Sequence, residues 1–139
     1  MGGELDLGKL LATLTAELVD GVYVFATMPA DAVPTDLKPR MVFQEAEGTT
    51  LILQQSEAEA AGLDYEFPCR MITLNVHSSL EAVGFIAHIA ARLAEHGMGV
   101  NPVAGFYHDH LFVPLGREAD ALKILADIAD AHAAEPAQD

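Results

Sequence analysis

Hydrophobic residues recur every three or four positions in three segments of the chain, a spacing typical of amphipathic helices. The first segment runs from Leu7 to Leu18, with Asp6 placed as an N-cap and Gly21 just beyond the end. The others are SSLEAVGFIAHIAARLAEHG, residues 78–97, and READALKILADIADAH, residues 117–132. Each pattern predicts a helix with one apolar face, which in the last helix comprises Ala121, Ile124, Leu125 and Ile128.

Runs of β-branched and aromatic residues between these segments predict strands. They are GVYVFAT (21–27), RMVFQEAEGTTLILQQ (40–55), RMITLNV (70–76), VNPVAGFY (100–107) and HLFVPL (110–115). The second run predicts a hairpin that turns at Glu47-Gly48. The segment 28–39 contains three prolines and predicts a loop. A short helix is expected over 56–63, with Ser56 and Glu59 as its capping box and Gly62 as its stop.

The order of these elements predicts an α+β fold built from two related units. The second half reads β-α-β-β-α, one strand short of the split βαβ unit, and the first half reads α-β-β-β-α before the strand at Arg70. Neither half would bury much apolar surface alone. We therefore expect two ferredoxin-like units of the βαββαβ type, residues 1–66 and 67–139, packed or interlocked around one layered core.

Composition narrows the partners that such a fold could have. Half of the 139 residues are hydrophobic, which favours a folded core, and no apolar run approaches the ~20 residues of a membrane helix. The net charge of −14 disfavours nucleic acids and anionic membranes. The beginning of the chain lacks the pattern of a secretory signal, so a cytoplasmic protein is expected. The single cysteine, Cys69, excludes an internal disulfide and is expected in the core.

Ionisable residues interrupt one of the strand-forming runs, NPVAGFYHDHLFVPL, at His108, Asp109 and His110. Ser78 and Ser79 lie where a helix beginning near Leu80 needs its N-cap. The N–H groups at a helix start can hold a carboxylate, and Asp109 can receive an ammonium group. Together they would form a receptor for a zwitterion such as an α-amino acid, with Asn101, Val103 and Tyr107 lining the path between them.

Several simpler interpretations of the same residues remain open. The serines could serve only as helix caps, and Asp109 could only stabilise a hairpin turn. His77, His108 and His110 could instead bind a divalent metal ion, although a turn at Asp109 would separate the last two. The residue types of a Ser-His-Asp triad are present without a GxSxG motif, so no enzyme activity and no cofactor are expected. A ligand-free dimerisation module is the remaining alternative. His88, on the polar side of its helix, is expected to face solvent.

The stretch RMITLNVHSSLEAVGFIAHIAARLAEHGMGVNPVAGFYHDHLFVPL resembles the ACT domain, with Gly84 at the place of the family's helix glycine. The segments HSSLEAVGF and FYHDHLFVP are similar to small stand-alone bacterial proteins that consist of two tandem ACT-like halves. The first-half runs LVDGVYVFAT and VFQEAEGTTLIL resemble the same group, which is related to the ACT units of aspartate kinases. The resemblance extends over roughly residues 5 to 130.

The resemblance implies a non-catalytic regulatory protein that binds an amino acid or a similar small molecule where ACT units meet. It implies a homodimer and an unidentified regulated enzyme or transporter, because the chain carries no catalytic domain of its own. The expected ligand contacts are a carboxylate loop, an ammonium acceptor at Asp109 and a set of wall residues. The loop comprises His77, Ser78, Ser79, Leu80 and Glu81, and the walls comprise Asn101, Val103, Tyr107, His108 and His110.

Overall fold

The structure is a computed structural model that describes residues 3–133. Its helices are α1 (Leu7–Ala12), α2 (Gln55–Ala60), α3 (Phe85–Glu95) and α4 (Glu118–Ala133), with a short 3-10 turn at Ala30–Ala32. Its strands are β1 (Ala16–Leu18), β2 (Tyr23–Met28), β3 (Met41–Glu45), β4 (Gly48–Gln54), β5 (Glu66–Leu74), β6 (Asn101–Ala104) and β7 (Asp109–Pro114). These elements form two compact units: residues 20–70, and residues 3–19 together with 71–133.

In the 20–70 unit the strand order is β3-β4-β2-β5, and each neighbouring pair is antiparallel. Side chains alternate between the two faces of a strand, so every second residue of β2 and β4 lies on the face that carries α2. This face forms a small core of Val24, Ala26, Leu51, Leu53 and Ala58. The predicted hairpin is present one residue earlier, because Glu45 pairs with Gly48 and leaves Ala46 and Glu47 as the turn.

Strand β5 contains a bulge where it pairs with β2. Tyr23 lies opposite Cys69 but Phe25 lies opposite Glu66, so β5 carries an extra residue, and Phe67 has a positive φ of 57°. Cys69 is 0% exposed, and its thiol donates a hydrogen bond to the Tyr23 carbonyl oxygen at 3.2 Å. Burial raises the pKa of the Cys69 thiol to about 12. Cys69 is therefore the core residue that its sequence context predicts.

In the other unit, β1 pairs antiparallel with the last residues of β5, and β7 lies between β5 and β6. Helices α1, α3 and α4 pack their apolar sides into one core, which includes Leu10, Leu11, Ile89, Leu93, Ile124 and Leu125. The apolar face predicted for α4 is confirmed, since all four of its residues are buried. In the described part of the chain, no helix combines the length and the apolar character needed to cross a membrane.

Three predicted helix ends were wrong. Asp6 caps α1 as expected, its carboxylate accepting from the Lys9 N–H at 3.0 Å, but α1 stops at Ala12 and residues 16–18 form a strand. Ser56 lies inside α2, whose N-cap position is Gln54, although Gly62 ends that segment with a φ of 69°. Helix α3 begins at Phe85 after Gly84, whose φ of 91° is unsuited to a helical residue.

Candidate functional site

The loop that follows β5 is held by the beginning of the chain. The Glu4 N–H donates to the His77 carbonyl oxygen at 2.8 Å, and the Ser79 N–H donates to the Glu4 carbonyl oxygen at 2.9 Å. These two bonds form a parallel bridge between Glu4 and Ser78. Gly3 lies so close to the loop that a Cβ atom on it would be 2.6 Å from the His77 oxygen. The start of the chain thus fixes the backbone of residues 77–79.

The hairpin of β6 and β7 brings a second loop to this region. The Gly105 N–H donates to the His108 carbonyl oxygen at 2.9 Å and closes a turn whose tip is Phe106-Tyr107. Asp109 is the first residue of β7 and pairs with Ala104. The expectation that Asp109 marks the turn itself was wrong, because the two aromatic residues occupy that position.

Asp109 and Ser78 connect the two loops. The Ser78 hydroxyl donates to the Asp109 carboxylate (Oδ2) at 3.0 Å, and the Asp109 residue is only 7% exposed. Within residues 3–133 no basic side chain forms an ion pair with Asp109. A buried carboxylate is unfavourable unless hydrogen bonds or a cation compensate for its lost hydration. Asp109 therefore lies where a positively charged group would be stabilised.

Aromatic rings border the same place. The Tyr107 ring lies 5.0 Å from that of Phe106 and 5.9 Å from that of His77. Tyr107 is 66% exposed and Phe106 is 60% exposed. Exposed aromatic faces attract ammonium groups through the ring quadrupole. Leu80, in the first loop, is also exposed and adds apolar surface.

The histidines do not assemble a metal centre. His110 forms a hydrogen bond between its Nδ1 and the Thr73 hydroxyl at 3.0 Å, while the His108 and His110 rings are 6.4 Å apart. The His77 ring lies against Tyr107. In the part of the chain that the structure describes, no three His, Cys, Asp or Glu side chains come close enough to hold a metal ion. The metal interpretation through His77, His108 and His110 is thus not supported.

The remaining predicted residues differ in how near they lie to Asp109 in the hairpin. Val103 is half-buried and pairs with His110, next to Asp109. Asn101 pairs with Phe112 at the other end of the hairpin, three residues away from the Ala104–Asp109 pair. Glu81 is exposed, and its N–H donates to the Ser79 hydroxyl at 3.1 Å. Asn101 is therefore the predicted wall residue that the hairpin places farthest from Asp109.

Ser78 and Ser79 are not helix caps. Helix α3 starts six residues after Ser79, at Phe85, and no side chain caps its first turn. Ser79 instead stabilises the turn before the helix, and Ser78 binds Asp109. The free N–H groups of the first turn of α3 keep their affinity for an anion, but they belong to residues 85–87 rather than to the serines.

His88 also differs from its expected position. It is half-buried, and its ring meets that of His132 edge to face with centroids 5.1 Å apart. The His88 Nε2 atom is buried and has no hydrogen-bond partner among the described residues. The polar pattern of α3 did not reveal this, because the contact comes from α4, more than forty residues later in the chain.

Sequence reasoning missed three contributors to the site: Glu4, Thr73 and Phe106. Thr73 lies between Ile72 and Leu74 in the predicted strand RMITLNV, where threonine is common, so it gave no distinct signal. Phe106 adjoins Tyr107 in the predicted strand and carried no signal of a turn. Glu4 contacts the loop through its backbone N–H and C=O groups, so the identity of its side chain does not indicate this role.

Comparisons with known proteins agree with this architecture. Two models of the ACT domain match the chain in tandem, one over residues 2–70 and the other over residues 66–127. A Vibrio cholerae protein of unknown function, described as a possible transport protein, is 43% identical to the chain, covers 88% of it over 95% of its own length, and has a TM-score of 0.79. The chain therefore belongs to the ACT-domain family, with two ferredoxin-like ACT repeats.

More distant solved structures share the fold. An Agrobacterium tumefaciens protein is 16% identical and has a TM-score of 0.71. The match covers 84% of this chain and 89% of the Agrobacterium protein. The regulatory subunit of aspartate kinase from Thermus thermophilus is 10% identical and has a TM-score of 0.64. The match covers 85% of this chain and 97% of the regulatory subunit. The curated proteins contain no match to this chain.

Proposed function

We propose that this ACT-domain protein is a non-catalytic sensor that binds an amino acid, or a similar small zwitterion, between the His77–Glu81 loop and the β6–β7 hairpin. The observation that carries the proposal is the buried carboxylate of Asp109, which has a hydroxyl donor in Ser78 but no basic partner among the described residues. The ligand's ammonium group supplies that partner. The ACT family and the aspartate kinase regulatory subunit support a regulatory role.

The carboxylate of the ligand has two sets of donors in this region. The Leu80 N–H has no hydrogen-bond partner in the described part of the chain, and the first turn of α3 has no side-chain cap. Tyr107, Phe106 and His77 then form the wall for the ligand's aliphatic part. Asp109 and Ser78 set the position of the ammonium group, because their hydrogen bond fixes both side chains.

Regulation by this protein requires a partner, since we assign no catalytic role to any of its residues. We place the sensor in the cytoplasm, as a homodimer that reports ligand binding to a separate enzyme or transporter. The repositioning of the His77–Glu81 loop on ligand binding would be the signal, because the loop contacts both Asp109, through Ser78, and the start of the chain, through Glu4.

Thermal unfolding in the presence of each of the twenty amino acids tests the proposal. A ligand at one hundred times its dissociation constant adds about 2.7 kcal/mol to the free energy of unfolding, which raises the Tm by several degrees. Asp109→Asn should abolish that shift, since asparagine still accepts from Ser78 but lacks the charge. Asp64→Asn, at an exposed carboxylate of the 20–70 unit, is the matched control and should keep it.

Zinc and EDTA in parallel samples separate this proposal from metal binding. A shift with zinc alone, or an amino-acid shift that survives in Asp109→Asn, would refute the assigned site. No shift with any amino acid would refute the amino-acid ligand and leave a protein-interaction module.

A further inference from the structure

Two histidines outside the candidate site meet between α3 and α4. His88 lies in the first half of α3, and His132 lies in the last turn of α4. At the other end of the helix pair, the Arg117 guanidinium donates to the His96 carbonyl oxygen at 3.1 Å, so the two helices run antiparallel. The rings of His88 and His132 meet edge to face at 80°, with their centroids 5.1 Å apart. Helix packing thus brings together two imidazoles that lie more than forty residues apart in the chain.

The tautomer of His132 is fixed by a backbone carbonyl. The His132 Nδ1 atom lies 2.9 Å from the Ile128 oxygen, one helical turn earlier. A carbonyl only accepts hydrogen bonds, so Nδ1 carries the proton and Nε2 keeps its lone pair. Metal-binding histidines in proteins are commonly oriented in this way, with the other ring nitrogen donating to a carbonyl or a carboxylate. His132 therefore presents a nitrogen atom suited to binding a metal ion.

His88 has a buried nitrogen atom without a partner. Its Nε2 atom forms no hydrogen bond to any of the described residues. Buried polar atoms in folded proteins are nearly always bonded, and a bound ion is one of the explanations for an exception. One turn later in α3, Arg92 is paired with Glu95 at 3.4 Å, which offsets the positive charge nearest to His88 along the helix.

We propose that His88 and His132 bind a divalent transition-metal ion through their Nε2 atoms, with water completing the coordination. Two imidazoles on one tetrahedral zinc ion, with Zn–N bonds of about 2.0–2.1 Å, have ring centroids roughly 5 Å apart, which is the spacing of this pair. Imidazole is a preferred ligand of zinc, copper and nickel ions. The net charge of −14 favours the approach of a cation.

This site is separate from the metal interpretation of His77, His108 and His110, with which it shares no residue. No third His, Cys, Asp or Glu within residues 3–133 joins the pair. Two histidines hold the ion more weakly than the four protein ligands of a structural zinc centre, because fewer bonds form. The ion therefore exchanges with solvent, which reaches the site past the half-buried His132. It acts as a removable clamp between the first half of α3 and the end of α4.

Zinc titration of the full chain, followed by calorimetry and thermal unfolding, tests the site. One zinc ion should bind per chain and raise the Tm, because the unfolded chain does not hold the two imidazoles together. EDTA should reverse the shift. His88→Asn and His132→Asn should each weaken zinc binding at least tenfold. His96→Asn is the matched control and should bind zinc as the wild type does, because the His96 Nδ1 atom makes the same kind of bond, 3.0 Å from the Arg92 carbonyl oxygen, without an imidazole against its ring in the described part of the chain.

Nitrogen NMR of the histidine side chains gives a readout on the wild-type protein, which does not depend on the folding of any variant. Zinc should shift the Nε2 resonances of His88 and His132 and leave that of His96 unchanged. A ring contact that serves packing alone predicts no such shifts. Resonances unchanged by zinc, or zinc binding that survives both His88→Asn and His132→Asn, would overturn the inference.

Two variants keep this test apart from that of the amino-acid site. Asp109→Asn should retain the zinc effect, because Asp109 does not contact either histidine of the pair. His88→Asn should retain any shift of the Tm caused by an amino acid. Loss of the zinc effect in Asp109→Asn would assign the ion to the other loop and contradict the site proposed here.

Discussion

Two buried acidic groups, Asp109 and Cys69, illustrate how burial acts on single residues. Asp109 keeps one hydrogen-bond donor and follows the exposed Phe106 and Tyr107 in the chain, and we propose that its burial serves a ligand. Cys69 lies in the strand core with the Tyr23 carbonyl as its acceptor, so its burial serves packing. The residue types were visible in the sequence, but their environments come from strand pairings that only the fold defines.

Burial of Cys69 predicts a loss of stability at alkaline pH. The folded protein holds the Cys69 pKa at about 12, above the ordinary value of 9.0, so the unfolded chain loses this proton first. The free energy of unfolding should be unaffected by this group below pH 9 and fall between pH 9 and 12, by at most about 1.4 kcal/mol per pH unit. Urea unfolding from pH 8 to 11 measures the slope, and Cys69→Ala should flatten it.

Thiol labelling provides an independent check on the same residue. At pH 8 the thiol of the folded protein should react far more slowly with an aromatic disulfide reagent than it does in urea. Equal rates in the folded and the unfolded protein would contradict the assignment of Cys69 to the core.

At the scale of elements, hydrophobic periodicity predicted α4 well and overextended α1 and α3. Leu14 and Leu18 continue the helical spacing of α1, but Leu18 belongs to β1, whose pairing with β5 also removes apolar side chains from water. Periodicity reports which residues are buried, not which backbone conformation buries them. Gly84 sets the start of α3 through its positive φ, which hydrophobic periodicity does not indicate.

The contact between the beginning of the chain and the His77–Glu81 loop predicts a selective effect of Gly3→Ala. An alanine Cβ would clash with the His77 oxygen, so residues 3–5 should detach from the loop. Amide hydrogen exchange at Ser79 should then accelerate at least tenfold. Gly62→Ala is the matched control, because Gly62 has the same φ of 69° with open space around it.

Gly62→Ala should lower the free energy of unfolding by about 1–2 kcal/mol, the cost of a left-handed alanine. In Gly62→Ala the amide exchange rate of Ser79 should rise by no more than the drop in the free energy of unfolding accounts for. Unchanged protection of Ser79 in Gly3→Ala would show that the Glu4 bridge does not hold the loop.

For the whole molecule, the order of strands and helices and the resemblance to the ACT domain predicted two ferredoxin-like repeats, and the family models confirm them. The compact units do not follow the order of the chain, because residues 3–19 pack with residues 71–133. That arrangement depends on the pairing of β1 with β5, some fifty-six residues apart, which no local pattern encodes. The boundary between residues 66 and 67, expected to separate the two ACT-like halves of the sequence, stays a prediction.

The candidate site was predicted only in part, because contacts between residues far apart in the sequence are not encoded by local patterns. Local motifs pointed to Ser78 and Asp109, which the fold brings into contact, and to Asn101, which the hairpin places at its opposite end. The chemistry of a serine or an aspartate can be recognised in a sequence. Which of them meet depends on register, and here a two-strand hairpin and a backbone bridge decided it.

The most direct test of the central claim is an NMR titration of the ¹⁵N-labelled protein with the amino acids. We expect one amino acid to shift the amide resonances of residues 77–81 and 105–110, and Asp109→Asn to remove those shifts. Shifts confined to the 20–70 unit, equal shifts in Asp109→Asn, or none with any amino acid would contradict it.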